Sequence, residues 1–135
     1  MPRFTDPKRL AKYLEDAANA TLAESIITTQ RRLGDTAISP YESGRFRSSW
    51  FASEGTPSGE TASEGTDSPN TDAQSLKVDY RRKYYLTNSL PYSQSLCIEG
   101  RVVSKDANWF RDFRKSEVPK IQQVAATKVK QQFQL

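Results

Sequence analysis

The chain has 135 residues, a formal net charge of +4 and 36% hydrophobic residues, the size of one domain with a modest core. It has no histidine and one cysteine, Cys97, which excludes an intrachain disulfide, a Cys/His zinc cluster and the commonest general base. No Gly-rich phosphate loop follows a strand pattern, no apolar run reaches the ~18 residues of a membrane span, and the opening MPRFTDPKRL lacks an apolar signal region. A soluble protein of a reducing cytoplasm, with no cofactor, no metal and no membrane contact, is expected. The low hydrophobic content implies that part of the chain is unpacked or that apolar surface is buried against other subunits.

The first element is a long amphipathic helix. Asp6 caps it, Pro7 suits its first position, and Leu10, Leu14, Ala17, Ala18, Thr21, Leu22, Ile26 and Leu33 form one stripe. Arg31 and Arg32 complement its C-terminal end, and Gly34 stops it. Its ~27 residues make a rod of roughly 40 Å. Ser39 to Gly44 is turn chemistry, and Arg45 to Ser53 (RFRSSWFAS) reads as a strand. On that reading Phe46, Ser48 and Trp50 share one face, with Trp50 as core anchor, and Arg47, Ser49 and Phe51 share the other.

Residues 53–75 carry five acidic side chains and no basic one, whereas the segments on either side are net positive. Composition there predicts a flexible loop, and its charge suggests extension onto an adjacent subunit's basic surface. The tetrapeptide SEGT occurs at 53–56 and again at 63–66, an echo that is not read as a structural repeat. A short helix is expected over Asp72–Tyr80 and a second strand over Lys83–Thr87. Asn88-Ser89-Leu90-Pro91 makes a turn into a short helix ending at Gly100, with Tyr92, Leu96 and Gly100 on one face. Asn108–Phe113 (NWFRDF) reads as a third strand, and residues 76–82 or 101–104 are candidates for another. A terminal helix begins at Ser116 or Glu117 with Pro119 in its first turn, and carries Val118, Ile121, Ala125, Val129 and Phe133 at helical spacing, with Lys128 and Lys130 towards its end. The order predicts an α+β fold: a small, mostly antiparallel sheet packed by a long N-terminal and a C-terminal helix, with a long acidic loop.

None of the candidate catalytic groups comes with partners. Glu42 and Glu99 lack an accompanying base, nucleophile or metal set, and Ser48 and Ser49 lack an activating base. Cys97 reads as a small, half-buried apolar residue. Arg45 and Arg47 read equally as solvent-facing strand residues and as interface arginines that fork onto a neighbour's carboxylates. Tyr80, Tyr84, Tyr85 and Tyr92 interleave with Arg81, Arg82 and Lys83, which suits either half-wet strand tyrosines or stacking on single-stranded nucleic acid.

Two segments together resemble a known family. Ser39-Pro40-Tyr41-Glu42-Ser43-Gly44-Arg45-Phe46-Arg47-Ser48-Ser49-Trp50 is similar to a block P-V-D-T-G-x-[LF]-[RK]-x-S-W, and Tyr85-Leu86-Thr87-Asn88-Ser89-Leu90-Pro91-Tyr92-Ser93 to a block Y-[IL]-T-N-x-[LV]-P-Y-[AS]. Both blocks belong to the neck proteins of tailed bacteriophages, the head–tail joining, tail-completion or minor tail proteins. The chain departs from that pattern at Leu96-Cys97-Ile98-Glu99-Gly100, where the glutamate is shifted, and at Ala107-Asn108, where the family's A-P-x-G turn lacks its Pro and Gly. The resemblance implies a non-enzymatic virion subunit, assembled in the host cytoplasm into a homo-oligomeric ring, expected to be six-fold, between the head connector and the tail or tail tube, in the tail-completion or terminator layer. Viral DNA would pass through its lumen without sequence readout. Gly44, Arg45, Phe46, Arg47, Ser49, Trp50, Asn88, Pro91, Tyr92, Glu99 and Gly100 are then the fold and interface candidates. The competing reading is a nucleic-acid-binding module using the basic–aromatic run 80–85.

Overall fold

A computed structural model describes residues 3–40, 44–99 and 107–135. The fold is α+β, with long helices near both ends of the chain and a two-stranded antiparallel sheet between them. Helix α1 spans Pro7–Leu33; the Asp6 side chain accepts the Lys8 N–H at 2.9 Å, and Pro7 needs no donor at that end. Gly34 closes α1 in the right-handed region (φ −81°), not in the left-handed cap for which glycine is usually selected. Its role is steric: a Cβ at Gly34 would lie 2.8 Å from Pro69 Cβ.

The buried face of α1 is Ala17, Ser25, Ile26, Gln30 and Leu33, whereas Leu14, expected in the stripe, is exposed. Thr21, Ser25 and Thr29 return their hydroxyls to the carbonyls one turn back, at 2.9, 2.8 and 2.7 Å, which satisfies polar groups on a packed face. Helix α5 (Val118–Phe133) runs antiparallel to α1: Arg32 meets Glu117, Glu24 meets Lys128, and Tyr13 donates to the Phe133 carbonyl. Ile121, Ala125 and Val129 are its buried positions, as the helical spacing predicts.

Of two expected strands, Arg45–Ser53 is helical over its opening residues and strand from Trp50, and Asn108–Phe113 is helical instead. Gly44–Arg47 forms one helical turn, α2, and the strand β1 begins only at Trp50 and ends at Glu54. Ser48 and Ser49 stabilise that turn by donating to the carbonyls of Gly44 and Arg45 at 2.7 and 2.6 Å. Over four residues an Arg/Phe alternation fits either period, and the two serines settle the matter. Likewise Trp109–Asp112 is helical (α4) and continues through a π turn, Phe113–Glu117, into α5. Trp109, Phe113 and Ile121 are all buried, and their spacing of four and eight residues is helical. The π turn lies just before Pro119, whose missing N–H frees a carbonyl there in any case.

Strand β2 is Tyr84–Asn88, paired antiparallel with β1 in the register Trp50 to Asn88 through Glu54 to Tyr84. A 3-10 turn, Asp72–Ser75, replaces the helix expected over Asp72–Tyr80, and no strand forms over 76–82. The short helix α3 is Ser93–Cys97; Gly100, its expected end, and the candidate strand 101–104 lie outside the described residues. The core gathers Leu33, Phe46, Trp50, Leu90, Leu96, Trp109, Phe113 and Ile121 at the C-terminal end of α1.

Candidate functional site

The two segments that carry the family resemblance meet in this core. Phe46 is fully buried, and its ring lies 5.8 Å from Trp50, 6.3 Å from Tyr92 and 6.3 Å from Trp109. Trp50 stacks on Phe110 at 5.8 Å and 23°. Asn88, opposite Trp50 in the sheet, donates from Nδ2 to the Phe46 carbonyl at 2.9 Å, and its Oδ1 accepts the Leu90 N–H at 3.3 Å. That second bond shapes the turn that drops Leu90 into the core, while Pro91 stays exposed and the half-buried Tyr92 leads into α3.

Arg45, Arg47, Ser48 and Ser49 do not face solvent from a strand; they hold the acidic loop against the body. Arg45 Nε donates to the Ala62 carbonyl at 2.7 Å. Arg47 Nε reaches Asp67 Oδ1 at 2.6 Å, its second nitrogens reach the carbonyls of Asp67 and Gly34 at 3.0 Å each, and its side chain is only 18% exposed. The Ser49 hydroxyl accepts the Ala62 N–H at 3.1 Å, and the Ser48 hydroxyl accepts the Ser68 N–H at 2.8 Å. Ser89 adds a 2.6 Å bond to the Ser58 carbonyl. Gly44 belongs to the same device, because a Cβ there would overlap the Asp67 side chain. The flexible loop that composition predicts is thus a segment with anchors on its own chain. The SEGT echo is also structural: Gly55 and Gly65 both take φ +84°, the left-handed conformation that a repeated glycine supplies.

Gln30 and Asp72 escaped the sequence reading. Gln30, 2% exposed, donates to the Trp50 carbonyl at 3.0 Å and to Asp72 Oδ1 at 2.5 Å, and accepts the Ala73 N–H at 3.0 Å. Asp72 Oδ1 also accepts the Ala52 N–H at 3.1 Å. The signal was present, since Gln30 falls between Ile26 and Leu33 on the helical stripe, but a glutamine there reads as surface.

The remaining candidates are dispersed. Glu99 is exposed and accepts the Ser95 hydroxyl at 3.1 Å, whereas Glu42 and Gly100 lie outside the described residues. Both serine hydroxyls, Ser48 and Ser49, are spent on backbone partners. Burial pushes the Cys97 thiol up to about 12, far from a nucleophilic thiolate. In the basic–aromatic run, Arg81 bonds Glu15 at 2.5 Å and Asp79 at 3.0 Å, and Arg82 bonds Glu54 at 2.7 Å. Hydrogen bonding to Asp79 and to Glu54 raises these two guanidinium pKa values further, and the Arg81 backbone N–H lowers that of Asp79. The Tyr84 hydroxyl accepts the Asp79 N–H at 2.7 Å. Two of the three cations in the run therefore already hold carboxylates of their own chain.

Among the described residues no cluster of three metal-ligating side chains occurs, and no helix is long and apolar enough to cross a membrane. Fold and site together define an α+β protein in which Phe46, Trp50 and Asn88 serve packing and Arg45, Arg47, Ser48 and Ser49 anchor the loop. Set against protein-family models, curated proteins and solved structures, the chain gives no match in any of the three comparisons.

Proposed function

We propose that this chain is a non-catalytic structural subunit of a tailed-phage neck, forming a homo-oligomeric ring between the head connector and the tail and letting DNA through its lumen. One observation carries the reading. The two sequence blocks that resemble neck proteins, separated by more than thirty residues of acidic loop and turn, pack into one core through the Asn88–Phe46 bond and the Trp50–Asn88 pairing. A resemblance by chance would not require the blocks to touch. The total surface agrees with a subunit that expects neighbours: 8540 Å² is accessible, against about 7,100 Å² for a compact monomer of 15.3 kDa.

The nucleic-acid reading has less support, because Arg81 and Arg82 are committed to Glu15, Asp79 and Glu54. Mass measurement of the purified protein, alone and mixed with connector or tail-tube protein, separates the two. A closed ring, or a stoichiometric complex with either neighbour, is the expected result. A monomer that binds DNA in a salt-sensitive way and neither self-associates nor binds those proteins would overturn the proposal.

A further inference from the structure

The two edges of the sheet are treated differently. The Gly55 N–H donates to the Lys83 carbonyl at 2.9 Å, and this bond fixes the phase of the ladder. In an antiparallel pair, alternate residues bond across and the others turn their N–H and C=O outward. Residues 51 and 53 therefore bond to 87 and 85, and Trp50, Ala52 and Glu54 face out on the β1 side. Two side chains occupy that edge: Gln30 Nε2 caps the Trp50 carbonyl and Asp72 Oδ1 caps the Ala52 N–H. On the β2 side the outward residues are Tyr84, Leu86 and Asn88, and among the described residues no backbone partner meets them. A two-stranded sheet with one edge capped and one open is an incomplete sheet.

Beside the open edge lies a cleft of about 290 Å³, walled by Trp50, Leu86, Asn88, Cys97, Ile98 and Phe110. Ile98, 66% exposed, adds apolar surface to this wall. The Arg114 guanidinium sits 5.7 Å from the ring of Phe110, one of the cleft's walls, and no carboxylate of the described residues pairs with it.

We infer that β2 takes an added strand from a different protein: an extended segment that pairs antiparallel or parallel with Tyr84–Asn88, places an apolar side chain in the cleft and sets an acidic residue against Arg114. The backbone row calls for a strand, since no other element presents matching donors and acceptors at that repeat. Charge decides against a second copy. Its β1 edge is capped, and its β2 comes from a stretch, residues 80–92, that contains Arg81, Arg82 and Lys83 and no acidic residue, so it offers Arg114 nothing. The acidic loop of a copy is tied along its backbone at Ala62 and Ser68, and through Asp67, to that copy's own Arg45, Arg47, Ser48 and Ser49, so it is not free to extend as a strand. The inference stands apart from the neck reading, because ring formation neither requires nor supplies this strand.

The test is amide hydrogen exchange on the full chain, alone and with a short synthetic peptide that alternates Thr with Leu and carries one aspartate at each end. With peptide at ten times its dissociation constant, exchange at Tyr84, Leu86 and Asn88 slows by about tenfold while the paired amides of Tyr85 and Thr87 are unchanged. Peptide N-methylated at alternate amides gives no protection. Arg114→Glu, an exposed change that leaves the fold intact, weakens the aspartate peptide and favours a lysine-ended one. Three results overturn the inference: no protection at any soluble peptide concentration, protection of the three amides in the free chain that grows with protein concentration (a second copy on the edge), and protection that is concentration-independent (an edge already closed). None of them bears on the ring measurement, so the two proposals fail separately.

Discussion

Replacing Ser48 and Ser49 together by alanine tests the anchoring of the acidic loop. Both serines are buried, and each accepts one loop N–H, from Ser68 and from Ala62. Ala62 is half-buried, so its N–H loses a partner that water replaces poorly, at about 1–2 kcal/mol; Ser68 is exposed, and its N–H re-solvates for about 0.5 kcal/mol. The Gly44 carbonyl keeps the Ser48 N–H as a partner, so the loss of that hydroxyl adds little. The double variant should therefore lose about 2 kcal/mol, or roughly 6–10 °C in melting temperature for a domain of this size. The loop itself supplies a second readout. It contains no lysine or arginine and two exposed glutamates, Glu60 and Glu64, so trypsin cannot cut within it and a glutamate-specific protease can. If opening precedes cleavage, 2 kcal/mol raises the cleavage rate about 30-fold. Equal cleavage rates and melting temperatures in the variant and the parent would refute the anchoring, and with it the assignment of the arginine–serine block to intramolecular work.

Trp50→Ala removes a side chain 3% exposed that stacks on Phe110 and abuts Phe46, and should cost about 3–5 kcal/mol by chemical denaturation; an unchanged midpoint would remove Trp50 from the core. The Cys97 thiol, raised to about 12 by burial, should react with a disulfide reagent at pH 8 about 100–1,000-fold more slowly in the folded protein than in urea. The sign of the linked stability change follows: the folded state keeps a proton that the unfolded thiol loses above about pH 8.5, so stability declines as pH rises from there towards 12. A native thiol as reactive as the unfolded one would contradict its burial.

The helices at the two ends were legible because each is long, capped and periodic: Asp6-Pro7 opens α1, and Ile121, Ala125 and Val129 mark α5. The short elements between them were not. Gly44–Arg47 and Trp109–Asp112 are four residues each, too few for a period of two to be told from one of 3.6, and bulky neighbours such as Trp109 and Phe110 look like strand residues until Phe113 and Ile121 are counted with them. The candidate residues Phe46, Trp50, Asn88 and Tyr92 lie far apart in the sequence, and their common packing is visible only once β1 and β2 pair. Arg45 and Arg47 misled for a physical reason. Their partners, the Ala62 carbonyl and Asp67, lie in a segment whose composition reads as disordered, and composition does not register twenty residues of loop held by side-chain bonds to backbone.

The closure of only one sheet edge has a consequence for assembly. A subunit with both edges open can pair its β1 with the next copy's β2, and that head-to-tail contact has no built-in end unless the rotation closes a ring. Gln30 and Asp72 block this route at the cost of burying a glutamine, a residue seldom found at 2% exposure without such a task. With β1 capped, the sheet can grow only from β2. Repeated head-to-tail pairing of copies through the sheet is then blocked, and the proposed ring would draw on other surfaces, such as the exposed Leu14 and Val124 of the α1–α5 pair. Opening the capped edge by Gln30→Ala together with Asp72→Ala should therefore make the chain aggregate through its sheet. Light scattering would show the growth; a double variant that stays as disperse as its parent would mean that the capping serves stability alone.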